Sequence, residues 1–224
     1  RVRRQRQMCI RDSRSFLGDV GADCIKIGML YSKNIIRLVA GILDEYSSIP
    51  VVVDPVMVTS SGDKLLEEDA VQAYKDYLFP RASILTPNKK EAEWLCGKEL
   101  NEGNIEECLK DLSRWGNSVV IKSVENRDFF IDYYYNPVEK VMKVYKKEGI
   151  RTRNVNGTGD SFASAIATFL SKGYGIEFAV AEAERFIQQS IELGARFKFG
   201  RGFGPVYPLS LIHISEPTRP LYIS

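Results

Sequence analysis

The sequence predicts a three-layer α/β/α domain on a mostly parallel central sheet, and three observations carry that prediction. Short β-branched runs alternate with segments of helical apolar period, the order expected of a parallel sheet flanked by helices. The run PVVVDP (50–55) is too apolar for a sheet with one wet face, so both faces are expected to be covered. Polar residues fall just after the runs, where open α/β sheets bind their ligands.

The elements follow in order. CIKIG (24–28) reads as a short buried strand. Behind it, SKNIIRLVAGILDEY places Ile35, Leu38, Val39 and Ile42 on one helical face. PVVVDP is the second strand. LLEEDAVQAYKDYLF (65–79) predicts a helix, SILT (83–86) a strand, and NKKEAEWLC (88–96) and IEECLKDLSRW (105–115) two more helices. SVVIKS (118–123) is a strand. FFIDYYY and VMKVYKK alternate and lack a crossover helix, which predicts an antiparallel pair turning near Asn136 and Pro137. GDSFASAIATFLSK and EFAVAEAERFIQQSIELGA close the domain as two amphipathic helices.

The two ends read differently. MCIRDS (8–13) can be encoded by DNA whose reverse complement, read one base later, gives LSLIHI (209–214). Both ends resemble translated sequencing-adapter sequence. Residues 1–13 and 209–224 are therefore expected to be adapter-derived, with the domain in 14–208. The other reading of RVRRQRQ is a basic arm for nucleic acid. Five arginines and Asp12 sit in the first 13 residues, and Glu216 and Arg219 in the last 16. Of the chain's net charge of +2, the central 195 residues thus hold about −2. That balance gives no reason to expect a nucleic-acid partner. The single histidine, His213, lies in the C-terminal segment, so histidine-based catalysis is excluded from 14–208. No apolar run approaches the roughly 20 residues of a membrane span. Cys24, Cys96 and Cys108 show no CxxC spacing, which predicts reduced thiols and a cytoplasmic setting.

Four strand ends carry the candidate chemistry. Asp54 precedes Pro55, which forces it into an extended conformation; the plain alternative is a turn aspartate. Asn88 and Glu91 have capping-box spacing, and Glu91 is also placed to serve a hydrated Mg²⁺. Lys122 either runs its stem to the rim of an apolar strand or aims its ammonium at phosphate. In NGTGD, Gly157 and Gly159 permit close backbone approach, and the amides from Thr158 to Asp160 would converge on an anion. Asp160 also has an ordinary role, complementing the helix dipole. A dinucleotide fingerprint fails, because its third glycine would fall at Phe162.

Together these residues resemble the hydroxymethylpyrimidine/phosphomethylpyrimidine kinases of thiamine biosynthesis, within the ribokinase-like superfamily. KIGML (26–30), DPVMVTSSGDKLL (54–66), TPNKKEAEWL (86–95), GTGDSFASAIA (157–167) and GRGFGPV (200–206) carry the resemblance. It implies a ribokinase-like fold and transfer of phosphate from ATP to a hydroxymethylpyrimidine or its monophosphate. By position, Gly157, Thr158 and Gly159 would hold ATP phosphates, with Lys122 and Asn88 beside them. Asp160 would be the catalytic group, Asp54 and Glu91 would place Mg²⁺, and Met29 would border the pyrimidine. A homodimer and a cytoplasmic location are further implications.

Three positions depart from the family. Its members usually have cysteine at Asp160, histidine at Asn156, and Lys-Gly-Gly-His where this chain reads Lys122-Ser123-Val124-Glu125. Aspartate in the turn is the habit of the wider superfamily, so a pyridoxal-type vitamin kinase is the alternative. A non-catalytic nucleotide-binding domain is another. The resemblance also implies an earlier strand and glycine-rich turn. The chain is therefore expected to be incomplete on its N-terminal side, and unstable or inactive by itself.

Overall fold

Val51, Val52 and Val53 show how the sheet is made. All three are β-branched and buried. Val51 and Val53 enter one apolar cluster and Val52 the other, as the two-residue period of a strand requires. The computed structural model describes residues 2–57, 66, 68–126, 129–198 and 200–209. Residues 58–65 of the DPVMVTSSGDKLL motif, and 210–224 of the C-terminal adapter-like segment, lie outside the described residues.

Strands β1 (Ile25–Ile27), β2 (Val51–Val53), β3 (Ile84–Leu85) and β4 (Ser118–Asn126) pair in parallel in that order. β5 (Phe129–Asn136) and β6 (Val141–Glu148) extend the sheet antiparallel, giving β1-β2-β3-β4-β5-β6. Asn136 Oδ1 accepts the amides of Val138 at 3.0 Å and Glu139 at 3.3 Å, so the hairpin turns where the sequence predicts.

Helices cover both faces. On one side α2 (Lys33–Glu45), α3 (Glu68–Ala73), α4 (Lys89–Cys96) and α5 (Ile105–Leu112) bury Ile36, Ala40, Ala70, Leu95 and Leu109 against the sheet. On the other, α6 (Thr158–Ser171) and α7 (Ile176–Gly194) bring Phe162, Ile166, Val180 and Ile187 onto Val52, Ile84, Val120 and Tyr134. This is the expected three-layer α/β/α arrangement. A second, two-stranded sheet joins β7 (Asn154–Asn156) to β8 (Gly204–Pro205).

Three features differ from the sequence reading. The segment 65–79 is not one helix. α3 gives way to a π-helical turn over Tyr74–Leu78 and a 3-10 turn over Phe79–Arg81. Pro80 has no N–H with which to continue the ladder. Tyr74 is fully buried there; its hydroxyl donates to the Gly28 carbonyl at 3.0 Å and accepts the Leu30 amide at 2.8 Å. Residues 2–19, largely set aside in the sequence reading, form a helix, α1 (Val2–Asp19). Its Arg14 pairs with Glu45 at the end of α2.

The cysteines are the third difference. Cys96 ends α4 and Cys108 lies in α5, and the two form a disulfide with Cα atoms 6.0 Å apart, while Cys24 stays free. The two helices are neighbours, so a separation of 12 residues becomes a contact that no CxxC spacing announces. The cysteine argument for a reducing compartment thereby loses its premise.

Candidate active site

The GTGD turn opens α6. Gly157 caps the helix with φ +82°, a left-handed conformation that a side chain would strain. The amides of Thr158, Gly159 and Asp160 stand in the first turn, where an α-helix leaves its N–H groups without partners. The Thr158 hydroxyl turns back to donate to the Val155 carbonyl at 2.6 Å, so Thr158 offers an anion only its amide. The second sheet holds the approach to this turn. Val206 N–H donates to the Asn156 carbonyl at 3.1 Å, and the Asn156 side-chain amide to the Phe203 carbonyl at 3.0 Å. The GRGFGPV motif is thus a brace for NGTGD.

Gly159 faces two buried charges. A Cβ there would lie 3.4 Å from Lys122 Nζ and 4.0 Å from Asp54 Oδ2. Lys122 Nζ donates to Asp54 Oδ1 at 2.8 Å, and Thr86 Oγ1 donates to the same oxygen at 3.0 Å. Both members of the pair are nearly fully buried, Asp54 at 2% exposure and Lys122 at 7%. Burial alone would lower the Lys122 ammonium. The charges of Asp54 and Glu91, with the Asp54 hydrogen bond, outweigh it and hold Lys122 above the usual lysine value. The rim-seeking alternative for Lys122 therefore does not hold.

Asn88 and Glu91 form a complete capping box at α4. Glu91 N–H donates to Asn88 Oδ1 at 2.9 Å, and Asn88 N–H donates to Glu91 Oε2 at 2.8 Å. Glu91 Oε1 accepts the Met57 amide at 3.3 Å. Burial, with a smaller push from the Asp54 charge, outweighs the pull of Lys122 and the two amides and leaves the Glu91 carboxyl raised to about 7. Asn88 also bridges Lys122 along the backbone, and the Lys122 amide donates to the Pro87 carbonyl at 2.9 Å. The capping reading and the site reading thus describe the same two residues.

Asp160 pairs with a residue the sequence reading did not single out. Lys26, in the middle of β1, donates from Nζ to Asp160 Oδ1 at 2.9 Å, across 134 positions of sequence. The Asp160 side chain is 69% exposed, open to a reactant. A lysine inside an apolar strand was the available signal, the same signal that marked Lys122. Thr86, which orients Asp54, was likewise passed over. Met29 stands exposed just beyond β1, three residues from Lys26.

Among the described residues no group of three or more His, Cys, Asp or Glu side chains could cage a metal ion. Asp54 Oδ1 and both Glu91 oxygens are already hydrogen-bonded. Asp54 Oδ2, directed toward Gly159, is the carboxylate atom facing the turn. That arrangement suits a Mg²⁺ that keeps its waters and borrows phosphate oxygens, rather than an all-protein site.

The chain is also similar to known proteins. A family model described as phosphomethylpyrimidine kinase matches residues 4–207. The chain is 37% identical over 195 residues to a thiamine biosynthesis bifunctional protein, ThiED, of Geobacter sulfurreducens, covering 84% of this chain and 38% of that protein. It is 32% identical over 198 residues to a hydroxymethylpyrimidine/phosphomethylpyrimidine kinase of Staphylococcus aureus, covering 86% and 70%. Among solved structures, an ADP complex of Bacillus subtilis pyridoxal kinase superposes with a TM-score of 0.79 at 30% identity, covering 90% of this chain and 76% of that one. A phosphomethylpyrimidine kinase from Clostridium difficile gives 0.72 at 29% identity, covering 83% and 76%. Among the described residues no helix is long and apolar enough to cross a membrane.

Proposed function

The chain belongs to the phosphomethylpyrimidine kinase family, and from that premise we propose that it uses ATP to phosphorylate 4-amino-5-hydroxymethyl-2-methylpyrimidine and its monophosphate in thiamine biosynthesis. The observation that carries the reading is the convergence at Gly159. Helix amides of the first turn of α6, the Lys122 ammonium and Asp54 Oδ2 face one another there, where a Cβ would lie 3.4 Å from Lys122 Nζ and 4.0 Å from Asp54 Oδ2, and Asp160 is the next residue of the same turn. Phosphoryl transfer asks for little covalent chemistry from the protein, and mostly for positioning and charge stabilisation.

In this reading the amides of Gly157, Thr158 and Gly159 bind the ATP phosphates, and Lys122 neutralises charge that develops on them. Asn88, with Oδ1 committed to its cap, contributes its amide nitrogen. Asp160 accepts the proton of the substrate hydroxymethyl as that oxygen bonds to the γ-phosphorus and ADP leaves. Lys26 holds the Asp160 carboxylate toward the turn. Asp54 and Glu91 would place Mg²⁺, which would supply charge neutralisation at the phosphates. Met29 borders the pyrimidine. A homodimer and a cytoplasmic location belong to the same proposal.

One observation favours a second reading. The aspartate at position 160 departs from the pyrimidine kinases, and a pyridoxal kinase is among the close structural matches. ADP release by the full-length gene product, tested with hydroxymethylpyrimidine and with pyridoxal, separates the two. Release with the pyrimidine supports the proposal. Release with pyridoxal alone moves the activity to the second reading. ATP binding without turnover on either makes the chain a nucleotide-binding protein.

A further inference from the structure

Lys122 sits on an irregular part of β4. Ile121 pairs with Tyr133 and Val124 with Ile131, so Lys122 and Ser123 together oppose the single residue Asp132. This is a β-bulge, and Ser123 occupies it with φ +58°, in the left-handed region that a residue with a side chain resists. The extra residue has a consequence for both layers. Val120 packs against α6 and α7, and Ile121 packs against the opposite layer. Lys122 follows that alternation and lies on the α6 face, 5.9 Å from the centre of the Phe162 ring. Val124 has the parity of Val120, yet it packs with Ile121 in the other cluster. In a regular strand Lys122 and Val124 would share a face, and one of them would be misplaced.

Asp132 is what the bulge leans on. Its carboxylate is 2% exposed, and Oδ1 accepts the Ser123 amide at 2.7 Å. Oδ2 accepts Lys147 Nζ from β6 at 2.7 Å, and Lys147 also donates to Glu184 Oε2 on α7 at 2.7 Å. The carboxylate is thus fixed from behind by two further elements before it meets the strained residue.

We infer that Asp132 is a positioning residue for Lys122: by accepting the Ser123 amide it holds the bulge that aims the Lys122 ammonium at the GTGD turn. Asp132 hydrogen-bonds neither Asp54 nor the turn; its charge adds to those of Asp54 and Glu91 on Lys122, and its positioning role runs through the backbone of β4. The inference rests on the proposed kinase reading for its kinetic consequence, but the bulge can be read without it.

Asp132→Asn tests the link, because a carboxylate accepts at both oxygens and an amide at only one. In either orientation the Ser123 amide loses its charged acceptor, since it then faces the amide nitrogen or a neutral oxygen whose bond is about half as strong. The expected result is a fall in kcat of about 10- to 100-fold with a folded protein, the scale of a small misplacement of a catalytic group. An upfield shift of the Ser123 amide proton should accompany it. Ser123→Gly alone should keep the wild-type rate. In the double variant, glycine adopts the left-handed conformation unaided and should restore most of the lost rate, a rescue that a merely structural role of Asp132 would not show. Asp132→Asn with unchanged kcat, or a loss that Ser123→Gly does not repair, overturns the inference. If the wild-type protein transfers no phosphate, the kinase reading fails by itself; the Ser123 amide still decides, and an unmoved resonance in Asp132→Asn overturns the bulge assignment. Should Asp132→Asn not fold, Ser123→Val puts a β-branched residue into the strained position. It should slow transfer, and an unchanged rate would equally overturn the inference.

Discussion

Asp160→Asn separates proton acceptance from everything else the turn does. The asparagine keeps the shape of the side chain and an oxygen for Lys26 Nζ, which lies 2.9 Å from Asp160 Oδ1. It cannot take up a proton from a hydroxyl at neutral pH. General-base catalysis by a positioned side chain contributes about 10²- to 10⁴-fold, so kcat should fall by at least about 10²-fold. That loss corresponds to about 2.7 kcal/mol of barrier. Folding cannot account for it. The Asp160 side chain is 69% exposed, and an ion pair that open to water is worth only about 0.2 to 1 kcal/mol. The assay is coupled ADP release by the full-length gene product, with a thermal melt of the same preparation. The expected result is a low kcat at an unchanged melting temperature, with the KM for ATP no higher than in the wild type. A kcat that stays at the wild-type level removes Asp160 from the chemistry. A kcat loss accompanied by an equal rise in the KM for ATP would make Asp160 a binding residue.

Three further outcomes are expected. Glu91 has its folded-state pKa raised from 4.5 to about 7, so its contribution to stability is fully present below pH 4.5 and is lost as pH rises through 7. Glu91→Gln should therefore flatten the decline of melting temperature between pH 5 and 7; an unaltered slope would show that Glu91 does not titrate there. Gly157→Ala and Gly97→Ala each place a side chain at positive φ, +82° and +68°, and each should cost about 1 to 2 kcal/mol in denaturant unfolding. Only Gly157→Ala should also weaken ATP binding, measured by calorimetry. Reducing the Cys96–Cys108 disulfide should cost about 3 kcal/mol, by loop-closure entropy for a separation of 12 residues. Unfolding curves with and without reductant measure it, and coincident curves would contradict the bond.

The fold was legible where local chemistry and global arrangement agree. An all-valine run can only be a strand covered on both sides, and β2 is one. The alternation of FFIDYYY and VMKVYKK, with Asn136 and Pro137 between them, was enough to give a hairpin and its turn. The capping box at Asn88 and Glu91 was readable from spacing alone. What stayed hidden depends on contacts between distant segments. Tyr74 breaks the regular helix after α3 in a segment where its hydroxyl reaches the end of β1, 46 residues away. Lys26 meets Asp160 only because β1 and α6 are neighbours in the fold. Periodicity shows which face a residue occupies, not which charge will stand opposite it. Asp132 was read as one alternating position of a hairpin, and nothing in FFIDYYY announces that two residues of β4 share it. The disulfide was missed for the same reason, since helix adjacency rather than spacing joins its halves.

The most direct test of the whole account is a titration of the isotope-labelled protein with Mg-ATP, following backbone amide resonances, with adenosine as the control. The amides of Gly157, Thr158 and Gly159 should shift saturably with Mg-ATP and stay in place with adenosine. If Mg-ATP binds while those three resonances do not move, the phosphates lie elsewhere and the kinase site described around Lys122 and Asp160 is wrong.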